Sequence, residues 1–200
     1  NKEGDLIITA SKDSIARIWN SNNGVEIFKL RGHTGFVNYA VIDQFDVFAV
    51  SASDDSTAII WNVRTGDSLR TLRGHKHTVR SANFSSDGSK IITASSDRSF
   101  IIWETNTGNP IDTVCCENAE LWYANYSPDG NIIFSTNNIG LVKFYNSNTL
   151  ELIKTFDTKN GVIPYASFSA DMKLFVTASW FGKALVWDYE TGDTLYSVTH

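Results

Sequence analysis

The stretch "KIITASSDRSFIIWETNTG", residues 90–108, decides the fold. It opens on the apolar run Lys90-Ile91-Ile92-Thr93, crosses a short polar segment, and enters a second apolar run that ends on Trp103. It closes on Thr107-Gly108, where glycine suits a turn because it accepts positive φ without steric cost. Two short β-like runs around a polar turn read as a hairpin, and helical periodicity is absent. The same pattern recurs in both directions along the chain. The aromatic that ends the second run falls at Trp19, Trp61, Trp103, Tyr145 and Trp187, and every gap is 42 residues. Ten residues ahead of each stands a hydroxyl, Thr9, Ser51, Thr93, Ser135 or Thr177, followed by Ala10, Ala52, Ala94, Thr136 or Ala178.

Two further segments complete each row. One follows the glycine turns at Gly24, Gly66, Gly108 and Gly192, as in Ser68-Leu69-Arg70-Thr71-Leu72. The other begins at Val37, Val79, Leu121 or Ile163 and then carries Ala40, Ala82, Ala124 or Ala166. It leaves through "SSDGS" (85–89) and "SPDGN" (127–131), which is hairpin chemistry. Four short antiparallel strands per ~40–45 residues, closed by an aromatic, are the signature of a β-propeller blade. The motifs "RGHTGFV" (31–37), "RGHKHTV" (73–79), "SPDG" (127–130) and "ALVWD" (184–188) resemble the WD40 family, over essentially the whole chain. Its naming dipeptide is intact only at Trp187-Asp188. It reads Trp-Asn at 19–20 and 61–62, Trp-Glu at 103–104 and Tyr-Asn at 145–146.

The expected fold class is therefore all-β, a β-propeller of four-stranded antiparallel blades. "NKEGD" at the start aligns with the turns at 87–88 and 129–130, so the first blade is expected to lack its innermost strand. The fifth runs to the end of its outer strand near Val198. The reading is one propeller fragment over 1–200, with blades at approximately 1–30, 31–72, 73–114, 115–156 and 157–200. That is about four and three-quarter blades of a larger ring, which the resemblance makes seven-bladed. The absence of an initiating Met points to a start further upstream.

Composition narrows the function. The chain is 42% hydrophobic and 20% charged with a net charge of -5, ordinary for a globular protein. No run approaches the ~18 apolar residues of a membrane span, so no membrane partner is expected. Lysine and arginine are scattered and outnumbered, which disfavours direct nucleic-acid contact. The two cysteines are adjacent, Cys115-Cys116, which excludes a disulfide framework and favours an intracellular setting. That setting is read as cytoplasmic, with nuclear or ciliary alternatives.

No cofactor and no metal is expected. His75 and His77 flank Lys76 without enough further ligands for a metal, no glycine-rich loop has phosphate-cradling spacing, and the "DG" hairpins have too few acids for calcium.

His33, Ser51, Asp55 and Trp61 share row two, and His75, Thr93, Asp97 and Trp103 repeat them in row three. Ser, His and Asp together invite a nucleophilic reading. The resemblance implies a structural one instead: a buried chain in which indole N–H donates to hydroxyl, hydroxyl to His, and His to Asp. Two copies, one built on Thr, suit a recurring brace better than a unique catalytic centre, so no catalytic residue is assigned. The set decays along the chain. Row one keeps Thr9, Asp13 and Trp19. Row four has Glu117, Ile139 and Tyr145 in the His, Asp and Trp columns, and row five has Lys159 and Phe181 for His and Asp. Blades four and five are therefore expected to rely on apolar packing.

Propellers of this family bind partners mainly through one rim. Carried over by column, that rim comprises Phe36, Thr78, Glu120 and Val162 before the inner strands. It continues with Asn38, Arg80, Trp122 and Pro164 one residue past the conserved apolar position. Ahead of the Asp column lie Lys12, Asp54, Ser96, Asn138 and Trp180. Phe36, Arg80, Trp122 and Trp180 stand out as anchor types for an interface; the alternative is that Phe36 and Trp122 simply pack on neighbouring loops. In "ASWFGKALVWD" (178–188), Trp180 is expected to face the rim, and Phe181, in the Asp column, to be buried as an apolar substitute for the lost brace.

The implied function is a non-enzymatic interaction scaffold that docks a protein or peptide partner on the rim, as a subunit of a larger assembly. A nucleic-acid-associated propeller subunit of RNA-processing or chromatin type and the sensor propeller of a signalling NTPase are the alternatives.

Overall fold

The computed structural model of the chain describes residues 1, 3–115 and 119–199; Cys116 and Glu117 lie outside the described residues. The regular structure there is entirely β, in five antiparallel sheets whose strands pair in chain order. The first sheet has three strands, Leu6–Thr9, Ile15–Asn20 and Glu26–Arg31. The other four have four strands each, beginning with the inner strands Val37–Ile42, Val79–Phe84, Leu121–Tyr126 and Tyr165–Phe168. These are the sheets of propeller blades.

The sheets stack face to face in sequence. Four buried clusters form, one between each consecutive pair of sheets. Strand alternation explains how one sheet serves two cores. In Lys90–Ser95, Ile91 packs with Val50, Ile60 and Leu72 of the preceding blade, while Ile92 packs with Leu121, Ala124 and Tyr126 of the following one. Both central strands of blade three, Lys90–Ser95 and Ser99–Glu104, are consequently buried on both faces, whereas the outer strand Pro110–Cys115 is largely exposed.

The core changes character along the stack. Between blades two and three its buried members are aliphatic apart from Trp103, with Tyr39, Phe48 and Phe84 packed at the margin. Between blades four and five it is a lattice of rings. Phe144 alone lies 4.8 Å from Phe156, 4.9 Å from Phe175 and 5.2 Å from Tyr189. These edge-to-face contacts are the favourable geometry for aromatic quadrupoles.

Phe181 departs from the sequence expectation. It is 73% exposed, not buried. Ser179 Oγ accepts the Phe181 amide at 3.1 Å and donates to the Asn160 carbonyl at 2.6 Å, which ties the turn into the adjoining loop. The phenyl ring then lies outward over Gly161, where an added Cβ would come within 2.5 Å of it. The missing Cβ of Gly161, rather than a vacated carboxylate slot, accommodates the ring.

Candidate functional site

The polar tetrads of blades two and three are continuous hydrogen-bond chains. Trp61 Nε1 donates to Ser51 Oγ at 2.8 Å, Ser51 Oγ donates to His33 Nε2 at 2.8 Å, and His33 Nδ1 donates to Asp55 Oδ2 at 2.8 Å. A carboxylate can only accept, which fixes the proton on Nδ1 and leaves Nε2 as the acceptor. In blade three Trp103, Thr93, His75 and Asp97 repeat the chain at 2.8, 2.7 and 2.9 Å. The glycine before each His lets its loop close over the indole: a Cβ at Gly32 or Gly74 would meet Trp61 or Trp103 at 3.0 Å.

Each carboxylate also gathers local donors. Asp55 accepts from Thr57 Oγ1 at 2.6 Å and the Thr34 amide at 2.9 Å. Asp97 accepts from Ser99 Oγ at 2.6 Å and the Lys76 amide at 2.9 Å. Partial burial pushes both carboxyls up, but these hydrogen bonds and those from His33 and His75 outweigh it, and both titrate below the usual carboxylate range.

The hydroxyls of Ser51 and Thr93 are fully buried and both their hydrogen-bonding roles are used, which supports a bracing role for these groups.

The remaining blades reach the same end differently. Trp19 Nε1 donates to Thr9 Oγ1 at 2.9 Å, and Asp13 pairs with Arg17 at 2.5 Å. The hydrogen bond from Arg17 is the main reason the Asp13 carboxyl is held down to about 2. In blade four Ile139 is exposed, and Asn137, two residues earlier, accepts the amides of Ile139 and Leu141 at 3.1 and 2.9 Å. In blade five only the bond from Trp187 Nε1 to Thr177 Oγ1, at 3.1 Å, survives from the tetrad pattern.

The three rim columns converge through a backbone rule that the sequence does not display. In each of blades two to five an amide from the column ahead of Asp reaches a carbonyl ahead of the inner strand. Asp54 pairs with Phe36 (2.9 Å), Ser96 with Thr78 (2.9 Å), Asn138 with Glu120 (3.0 Å) and Trp180 with Val162 (3.1 Å). The inner strands of blades two, three and four each open with a β-bulge whose extra residue is Asn38, Arg80 or Trp122. A bulge inserts an unpaired residue and re-aims its side chain, here at the rim. In blade five Pro164, which has no N–H to donate, precedes a shorter inner strand starting at Tyr165.

Side chains from blades three, four and five meet there. The Arg80 guanidinium lies 4.4 Å over the Trp122 ring and its Nε donates to Ser96 Oγ at 3.0 Å. Trp122 meets Trp180 edge-on with ring centroids 4.5 Å apart, and Trp180 remains 62% exposed. Phe36 is 48% exposed on blade two, where Asn38 Nδ2 donates to Asp54 Oδ1 at 2.8 Å. Thr78 and Glu120 line a concavity of about 450 Å3 beside Arg80, together with Lys76, His77, Ser96 and Arg98. Lys76 and Arg98 were not singled out by sequence reading; they come from two loops of blade three, and only the fold brings them to one opening.

The stacked antiparallel sheets are of the propeller type, and comparison with known proteins finds the matching repeat in two stretches of the chain. The WD domain, G-beta repeat family matches residues 24–62 and 66–104, so the chain carries WD40 repeats. Among curated relatives, eukaryotic translation initiation factor 3 subunit I of Vanderwaltozyma polyspora is 49% identical over 45 residues, 22% of this chain and 13% of the relative. The proteins of the same name from Eremothecium gossypii and Saccharomyces cerevisiae (strain YJM789) are 41% and 45% identical over 51 residues, 26% of this chain. These matches span 15% of either relative's length.

Proposed function

We propose that the chain is a non-enzymatic interaction scaffold whose bulged rim docks a peptide or protein partner within an intracellular multiprotein assembly. The observation that carries this reading is the Arg80–Trp122–Trp180 array, a cation and two indoles from three successive blades, with Trp180 left exposed. Arg and Trp are over-represented at energetic centres of interfaces: Trp buries a large area at small entropic cost, and Arg combines stacking with several hydrogen-bond donors. Using the tetrads as braces rather than reactive groups is consistent with their burial. The relatives are named as subunits of a translation initiation factor, which makes a translation-initiation assembly the first setting to search.

Affinity capture compares the full-length protein with versions carrying Arg80→Glu, Trp122→Ala or Trp180→Ala. The expected outcome is loss of partners with unchanged thermal unfolding, read most cleanly at the exposed Trp180. Capture of the same set at the same strength by all three variants overturns the rim assignment.

A further inference from the structure

The rim array adjoins a patch whose charge is opposite to that of the chain. The net charge is -5, yet the concavity beside Arg80 gathers Lys76, His77, Arg80 and Arg98 against Asp97 and Glu120. The Asp97 carboxylate is already engaged by His75, Ser99 and the Lys76 amide. Lys76 and Arg98 are exposed, and their side chains have no hydrogen bond or ion pair among the described residues. Two exposed, uncommitted cations next to a fixed guanidinium form an anion-accepting surface.

Blade four supplies an independent observation. The column pair that closes the rim in blade two is Asn38 donating to Asp54, and in blade three it is Arg80 donating to Ser96. The equivalents in blade four are Trp122 and Asn138. There the indole Nε1, a donor, and Asn138 Oδ1, an acceptor, are both buried and without a partner among the described residues. Buried polar atoms are ordinarily satisfied, so a donor and an acceptor both left open on the rim of one blade mark a place completed from outside. A main-chain amide offers one C=O and one N–H, which matches that pair.

We infer that the rim between blades three and four recognises an acidic peptide segment, its Asp or Glu carboxylates held by Lys76, Arg98 and Arg80 and its backbone read by Trp122 and Asn138. This rests on the rim-docking reading and names the chemistry of the partner.

The test is panning of phage-displayed random twelve-residue peptides against the full chain and against three variants: Lys76→Glu with Arg98→Glu, Arg80→Glu, and Trp180→Ala. The expected result is enrichment of Asp- and Glu-rich peptides that bind the Lys76→Glu/Arg98→Glu protein about tenfold or more weakly. Weakened binding to Trp180→Ala is expected as well. Neutral or basic peptides that need Trp180 but ignore the charge reversal overturn the acidic inference and leave rim docking standing. Peptides indifferent to both Trp180→Ala and Arg80→Glu overturn rim docking and the inference with it. Absence of any enriched peptide also overturns the inference. Lys76 and Arg98 are exposed, so unchanged urea unfolding of the charge-reversed protein certifies that binding, not folding, is read.

Discussion

Blades two and three close their loops with a four-residue hydrogen-bond chain, whereas blades four and five lose the His and Asp of that chain and share a lattice of phenyl and indole rings. The difference shows two ways to fix one loop against one sheet. The polar brace is directional: it sets where His33 and His75 sit, and it leaves a buried group stranded if one member is removed. The aromatic core is not directional, and its contribution scales with area and fit. Column by column, His and Asp are replaced together in row five, by Lys159 and Phe181, as that asymmetry requires.

The comparison can be broken most forcefully at Phe144, which is fully buried among five other rings. Phe144→Ala is expected to cost about 3–5 kcal/mol in urea unfolding; a loss below ~1 kcal/mol would show that the ring lattice is not the core of blades four and five. Next comes His75→Ala, which removes the main acceptor of the Thr93 hydroxyl and one donor to the Asp97 carboxylate and is expected to cost about 2–3 kcal/mol. Thr177→Val in blade five removes only the acceptor of one indole and is expected to cost about 1 kcal/mol. Equal costs for these two would erase the distinction between braced and unbraced blades.

Acid sharpens the same contrast. Asp55 and Asp97 titrate below their ordinary value of 3.8 in the folded chain. The folded state therefore binds fewer protons than the unfolded one as pH falls through that region, and stability declines with it. The contribution is fully present above about pH 5 and is lost as pH drops below ~4 through the depressed folded values. The turn carboxyls Asp87, Asp129 and Asp171 are also lowered, one in each of blades three, four and five, so they contribute to all three. Hydrogen exchange on an acid series should nonetheless open blade three before blade five, and Asp97→Asn should remove the difference. The smallest expected effect is at Phe181, where truncation to Ala should change stability by no more than ~0.5 kcal/mol because the ring is exposed.

The blades and the members of the tetrads were legible in the sequence because a fixed period aligns residues that share an environment. Trp61 and Trp103 report on each other. What remained hidden lies where the backbone breaks that rule. The bulges at Asn38, Arg80 and Trp122 leave no mark in composition, yet they decide which way those side chains point. Phe181 read as buried because column logic assumes the neighbouring loop is unchanged, and Gly161 gives the ring somewhere else to lie. Asn137 took over the turn-holding part of a missing Asp from two residues away. Its signal was available, an Asn in a column otherwise occupied by Ser11, Ser53, Ser95 and Ser179, but only in combination with Ile139.

The most direct test of the claim that the rim, not the tetrads, is the working surface is a hydrogen-exchange footprint. The full chain would be loaded with its tightest panned peptide and compared with the free chain. The account predicts slowed exchange at residues 76–80, 96–98, 120–122 and 180, with the opposite turns at 85–89 and 127–131 unchanged. Slowing at those opposite turns with the rim untouched would contradict it.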